Sequence, residues 1–299
     1  MTYLLMGVVV LLYTAQSFLT RLFSAEYPGD PRHASPVFSV VSGATVVVVS
    51  LFMCGFHFVA SPLTWLLGII NGFALLLYNT TIIKASQTGP YSVLMVFSIA
   101  GGIIIPTLVG AIAFRDTLTP LKVICILVVL VSVYLISDKD SRTEKKRGFW
   151  LAVSLLAIGN GAFGSLLDVQ QRVTAVAQKE EMVAITFAVC SICSLAMLLF
   201  EQKKNFLTVM KQSRRSLVLL SVASLVVAGA IHILTVVIGK IDLAVLYTFY
   251  NSAVLMLSVL CSFLFLREKL SLKNIIGCIT MCAALVFMMG GDTILTALR

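Results

Sequence analysis

The residues best placed to do chemistry are polar side chains set inside long apolar runs. His232 is the one histidine well within such a run. An imidazole, titrating near pH 6.5, either relays a proton or hydrogen-bonds a small molecule; the plainer reading is a ring donating to the carbonyl of a neighbouring helix. Asn71, Tyr78 and Asn79 fall at i, i+7 and i+8, which is one face of a helix. Tyr247, Tyr250 and Asn251 fall at i, i+3 and i+4, again one face. Aromatic walls with carboxamide handles suit planar or cationic small molecules. The same groups also serve as glue between helices, worth about 1 kcal/mol per bond. Asp168 stands four residues before Arg172, with Gln170 and Gln171 between them. The two either pair with each other or leave a carboxylate for a cation or a proton. Lys84 either snorkels to the surface or binds an anion.

Other chemistries find no support in the sequence. Cys190-Ser-Ile-Cys193 has the C-x-x-C spacing but no second pair or nearby histidine, so it reads as packing and not as a redox or metal site. The seven cysteines all lie in apolar runs and form no disulfide framework. No phosphate loop, zinc motif, nucleophile elbow or dinucleotide fingerprint is present. The expectation is a protein that is not an enzyme, with no cofactor and no metal.

The elements that must position these residues are set by composition. The chain is 59% hydrophobic and 12% charged, with a mean hydropathy of +1.03. A soluble chain carries about a quarter charged residues, so lipid is the expected solvent. A spanning helix needs about 20 apolar residues. Runs of that length are expected near 3–23, 35–57, 63–85, 90–114, 119–136, 148–177, 181–200, 216–239, 242–266 and 272–290. The formal charge of +9 sits mostly between these runs, where it meets lipid headgroups and not nucleic acid. The first run lacks a basic leader and is longer than a signal sequence, so it is expected to be retained.

One stretch occurs twice. Residues 87–122 and 239–273 each hold an apolar helix, a charged turn and a new helix start. An offset of 152 lays Arg115 on Arg267, Asp116 on Glu268, Leu118 on Leu270 and Thr119 on Ser271. The same offset lays Asp168 on Gln16 and His232 on Thr80, beside Asn79. The halves are then 1–137 and 148–299, divided by the charged connection 138–147. Five helices per half is odd, so the halves enter the membrane in opposite orientation. The expected fold is an all-α membrane protein: ten transmembrane helices in a five-plus-five inverted repeat. The charged turns themselves read as structural, closing helix ends.

Ten helices in two fives, each half ending in (Phe/Leu)-Arg-(Asp/Glu)-x-Leu-(Thr/Ser), resemble the EamA-like ten-helix members of the drug/metabolite transporter superfamily. Gly277 has its family-like place early in the last helix, whereas its counterpart Cys125 departs from the pattern, as does Arg267 where glycine is usual. The resemblance implies a secondary transporter moving a small organic metabolite by alternating access, with proton coupling through His232 as one option. The substrate site is expected at Gln16, Tyr78, Asn79, Asp168, His232, Tyr247, Tyr250 and Asn251. Export of amino acids or toxic metabolites is the alternative, and a lipid-handling or scaffold protein the rival from another class. Expected partners are the small-molecule substrate and the bilayer of a plasma or inner membrane, with no nucleic acid; the protein is a monomer or a homodimer. The resemblance places both termini in the cytoplasm. The charges oppose this: about sixteen Lys and Arg fall in connections after odd-numbered helices and about six elsewhere. The positive-inside rule therefore puts both termini outside, and the charge count is given precedence.

Overall fold

Lipid offers a peptide group no hydrogen-bond partner, so an apolar chain must satisfy its backbone internally. The computed structural model does so with helices. It describes residues 2–88, 91–137, 148–174, 178–201, 209–210, 213–266 and 271–297. Among these are ten α-helices: α1 (Thr2–Glu26), α2 (Pro31–Met53), α3 (Pro62–Thr88), α4 (Tyr91–Ala113), α5 (Pro120–Ser137), α6 (Phe149–Val173), α7 (Lys179–Glu201), α8 (Arg214–Val237), α9 (Leu243–Leu266) and α10 (Leu272–Ala297). Eight are long and apolar enough to cross a membrane; α5 and α10 supply shorter apolar segments, Pro120–Ile136 and Leu272–Met288. The architecture is that of a multi-pass membrane protein. Large apolar side chains such as Phe73, Leu127, Val131 and Ile279 stand exposed, as a lipid-facing surface requires.

Several helix ends differ from the sequence expectation. α2 begins at Pro31 and takes His33 into its first turn, because Pro31 suits the first helical position and the Asp30 carbonyl accepts the His33 N–H at 2.9 Å. It stops at Met53 because Gly55 and Phe56 both adopt φ +60°. α3 runs on to Thr88, and α6 ends at Val173. The connection 138–147 and the turn Arg267-Glu268-Lys269-Leu270 lie outside the described residues.

The chain forms two compact units. The first comprises Met1–Ile83 and Leu166–Ile238, the second Lys84–Ser165 and Gly239–Arg299. Each therefore takes helices from both sides of the 138–147 connection. In the first unit α1 packs on α8, and α2 packs on α7 and α8. α3 approaches α7 through glycines: a Cβ at Gly68 would come within 2.7 Å of Ile185, and one at Gly72 within 2.6 Å of Val189. In the second unit α4 packs on α5 and α9, and α5 packs on α10. There α4 meets α6 closely, since a Cβ at Gly161 would lie 2.5 Å from the Gly101 carbonyl. Small residues let helix backbones approach where no hydrophobic force drives them together.

Three of the five pairs of helix starts keep a common register. Pro62 and Arg214, Tyr91 and Leu243, and Pro120 and Leu272 each open a helix and each stand 152 residues apart. That is the offset of the charged turns.

The α5–α10 contact is tight. A Cβ at Gly277 would lie 2.8 Å from Ile136 Cγ1 and 3.0 Å from the Ser132 carbonyl. Ser132 and Thr280 hydroxyls pair across it at 2.7 Å, and Asn274 donates to the Ile136 carbonyl. Overpacking costs about 1–3 kcal/mol. Gly277→Leu is expected to lower the melting temperature in detergent by several degrees. Gly7→Leu, where an added Cβ meets nothing within 4 Å, is the control and is expected to leave it unchanged.

Candidate functional site

Among the described residues the first unit holds three buried polar groupings. His232 on α8 is 5% exposed, and its Nε2 lies 3.1 Å from Ser50 Oγ of α2. Ser50 has one proton, and its hydroxyl lies 2.8 Å from the Val46 carbonyl. A carbonyl only accepts, so that proton is committed there. The Nε2–H must then donate to Ser50 Oγ, and the neutral ring carries its lone pair on Nδ1. Nδ1 is buried and has no hydrogen-bond partner among the described residues. His232 is thus the plainer reading in part, a bonded ring, with one acceptor left over.

The second grouping ties α3, α6 and α7 together. Gln178 accepts from the Ser61 backbone N–H at 2.9 Å and from the Thr64 hydroxyl at 2.7 Å. Gln170 donates to Thr64 Oγ1 and to Thr174 Oγ1, both at 3.3 Å. Asp168, wholly buried, pairs with Arg172 at 2.8 Å one turn on. Asn71, also wholly buried, donates to Thr186 Oγ1 at 3.4 Å. Such pairing follows from the expense of placing a lone charge or amide in lipid. In the third grouping the half-buried Asn79 donates to Ser39 Oγ at 3.0 Å and reaches Cys190 Sγ at 3.7 Å. Cys190 therefore packs among polar neighbours of α2 and α3. No group of three metal-ligating side chains occurs among the described residues. Tyr78 and Gln16 are half-buried.

The second unit holds the tyrosines and Asn251. Tyr247 is 4% exposed, and its hydroxyl donates to the Gly164 carbonyl of α6 at 2.8 Å. Gly164 is glycine for this reason, since a Cβ there would lie 2.5 Å from the Tyr247 ring. Tyr250 is half-buried, edge-on to Tyr247 with ring centres 6.4 Å apart. Asn251 donates to the Tyr247 carbonyl at 2.9 Å and to the Gly102 carbonyl of α4 at 3.3 Å. Asn160 of α6 donates to the Ser98 carbonyl of α4 at 2.8 Å. Gly102 lies between the two amides: a Cβ there would meet Asn160 Nδ2 at 2.6 Å and Asn251 Nδ2 at 3.3 Å.

The eight residues expected from the sequence are therefore divided. Gln16, Tyr78, Asn79, Asp168 and His232 belong to the first unit; Tyr247, Tyr250 and Asn251 belong to the second. Sequence reasoning missed Asn160, although a carboxamide between Gly159 and Gly161 inside an apolar run was the available signal. It also missed Ser50, one of many serines, whose partner only the packing of α2 on α8 reveals.

The charged turn of the first half is structural, as expected. α4 closes with Arg115 in the left-handed region at φ +56°, and the Asp116 N–H reaches back to the Gly110 carbonyl at 3.0 Å. The Asp116 carboxylate accepts the Leu243 N–H at the start of α9, 3.2 Å away. Lys122 meets Asp242 at 2.7 Å and the Thr117 carbonyl at 2.9 Å.

The chain matches no known family model, and no curated protein matches it. It is similar to a protein of solved crystal structure, with a TM-score of 0.75 at 16% identity, over 98% of this chain and 96% of that one. At that identity the likeness is one of fold alone.

Truncating Ser50 strands a buried N–H, whereas replacing both partners with apolar groups removes the debt; a stranded donor costs about 1–3 kcal/mol. Ser50→Ala is expected to lower the melting temperature. Ser50→Ala combined with His232→Leu is expected to recover part of the loss. A double variant that melts at or below the sum of the two single losses would show that the bond is not formed.

Proposed function

We propose that this chain is a secondary transporter of the drug/metabolite transporter type, moving a small organic metabolite across a membrane by alternating access. The carrying observation is the 152-residue register shared by three pairs of helix starts and by the charged turns. It supports two homologous halves of five helices each, and an odd number of spans per half gives them opposite orientation. Inverted halves exchange conformations by symmetry, which serves alternating access and serves neither a receptor nor a scaffold.

Partly satisfied polar groups inside the spans supply the second support. In a scaffold every such group is expected to be paired and dry. Here His232 retains an acceptor, and Thr248 and Ser252 of α9 hold buried hydroxyls without partners among the described residues. His232 is assigned to proton coupling or substrate contact in the first unit, with Tyr250, Asn251 and Asn160 as substrate contacts in the second.

Protein reconstituted in liposomes is expected to exchange at least one radiolabelled compound from a panel of amino acids, nucleobases, sugars and organic amines, saturably and with loss in Asn251→Ala. If His232 carries the coupling proton, His232→Ala abolishes the response to an imposed pH gradient but keeps counterflow. Absence of saturable flux for every class would sink the transport reading.

Orientation has its own test. Cys54 lies in the turn after α2, where burial, and then the Glu181 and Glu180 carboxylates, push its thiol up to about 11. Only the thiolate reacts, so with a raised pKa labelling is slow at neutral pH and speeds up about tenfold per pH unit up to the thiol's pKa. In cells, a variant retaining Cys54 alone is expected to react with an impermeant maleimide at pH 8.5 to 9 from outside. That is opposite to the placement that the charge count gives the turn's odd-numbered counterparts; protection in intact cells and labelling only after lysis would put both termini outside in error.

A further inference from the structure

We infer that Ser50 is the positioning residue for proton coupling: by holding the Nε2–H of His232 it leaves Nδ1 as the atom that takes the proton. The inference rests on the proton-coupling form of the transport reading for its role. The tautomer it asserts stands on the geometry of the two residues.

The pair is closed to water. Ser50 and His232 are both buried, so neither takes a partner from solvent. Ser50 sits on the last turn of α2, its Oγ 2.8 Å from the Val46 carbonyl and 3.1 Å from His232 Nε2. Its one proton goes to the carbonyl, and a lone pair of the same oxygen accepts the Nε2–H. Which imidazole nitrogen keeps its lone pair is set by the bond that the other one makes. Ser50 therefore decides the tautomer. Nδ1, buried and without a hydrogen-bond partner among the described residues, is the consequence.

A ring kept for packing alone is expected to have both nitrogens bonded, because an unsatisfied acceptor in a buried site is a standing cost. The charges around the ring do not compete with Ser50 for the Nε2–H. Glu180 and Lys179 at the head of α7 are the charged groups that act on His232, and they meet each other at 3.5 Å. The other helices packed on α8 bring no carboxylate to this stretch: the first acidic residue of α1 is Glu26 at its far end, and α2 and α8 hold none. Their titratable groups here are Tyr3 and Tyr13 of α1 and, just past α2, Cys54. Loading moves a proton from hydronium to the Nδ1 lone pair, leaving water and a ring of one positive charge; release to water on the other side reverses it. Nδ1 is sealed in this structure, so loading belongs to an access state that opens the ring to one side.

The test pairs a spectroscopic readout with a transport one, both on the full chain. Nitrogen NMR of histidine-labelled protein in detergent, at a pH where the ring is neutral, reads the tautomer; the His232 signals are those absent from His232→Gln. One tautomer is expected, protonated at Nε2 and bare at Nδ1. Ser50→Ala is expected to lose it, to a mixture or to the Nδ1–H form, and Ser50→Thr, which keeps the hydroxyl, to retain it. In liposomes the readout is the ratio of uptake driven by a pH gradient to counterflow. Loss of the bond in Ser50→Ala is expected to lower that ratio roughly fivefold, with recovery in Ser50→Thr. Ser42→Ala, whose hydroxyl bonds one turn back to the Phe38 carbonyl, is expected to change neither readout. If Ser50→Ala does not fold, Ser50→Cys, a weaker acceptor, replaces it in both measurements. A ring that carries its proton on Nδ1, or a spectrum that the Ser50 variant leaves as it was, overturns the inference. A gradient response lost in His232→Ala but kept in the Ser50 variant overturns it and leaves the coupling reading intact. A single Nε2–H tautomer in a protein whose uptake ignores the gradient overturns the positioning role and the coupling reading together.

Discussion

A polar group in lipid must find its partner within the protein, and most of the structure is the working out of that requirement. The backbone meets it by forming helices. The hydroxyls meet it by bonding back one turn: Thr14 to the Val10 carbonyl, Ser132 to that of Val128, Ser165 to that of Gly161 and Ser224 to that of Leu220. These side chains cost little in a span because the helix carrying them supplies the acceptor. An amide carries two N–H donors and an acceptor oxygen, more than the carbonyl one turn back can satisfy, so it crosses to another helix. Asn160 and Asn251 reach α4, Asn79 reaches α2, and Asn274 reaches α5.

The same requirement separates residues that look alike in sequence. Tyr247 and Tyr250 share a helix face, yet the Tyr247 hydroxyl is spent on the Gly164 carbonyl and its ring fills the space that glycine leaves. Its role is to fix α6 against α9. Tyr250 keeps an accessible ring. Likewise Asp168 is held by Arg172 on its own helix, while His232 is held through one nitrogen only. Under the transport proposal, function belongs to what remains after packing has taken its share, such as the second nitrogen of the imidazole.

Much of the fold was legible because lipid makes the code coarse. Apolar runs of about 20 residues read directly as helices, and the ten expected runs correspond to α1 through α10. The ends were harder. α2 starts at Pro31, inside a Pro-Gly-Asp-Pro stretch that reads as a break, because the second proline suits the first helical position. The site was legible by residue type and not by partner. Periodicity placed Asn251 and the tyrosines on one face, but spacing along a chain cannot reveal that Gly102 of α4 lies between Asn251 and Asn160. Nor can it show that the compact units join helices from both sides of the 138–147 connection.

That joining gives the charged turn its purpose. Asp116 closes the first-half turn, yet its carboxylate accepts an N–H from α9, and Lys122 at the head of α5 meets Asp242 just ahead of α9. A pair partly exposed at a membrane edge is worth little as an ion pair, and Asp242 is 36% exposed. Its value is geometric, because Lys122 also donates to Thr117 and so locks the turn that Arg115 bends. The second unit thus fastens α4 and α5 to α9 at the turn, and α5 to α10 along the Gly277 seam. Helices at equivalent places in the two sequence halves, α4 with α9 and α5 with α10, are bound into one body.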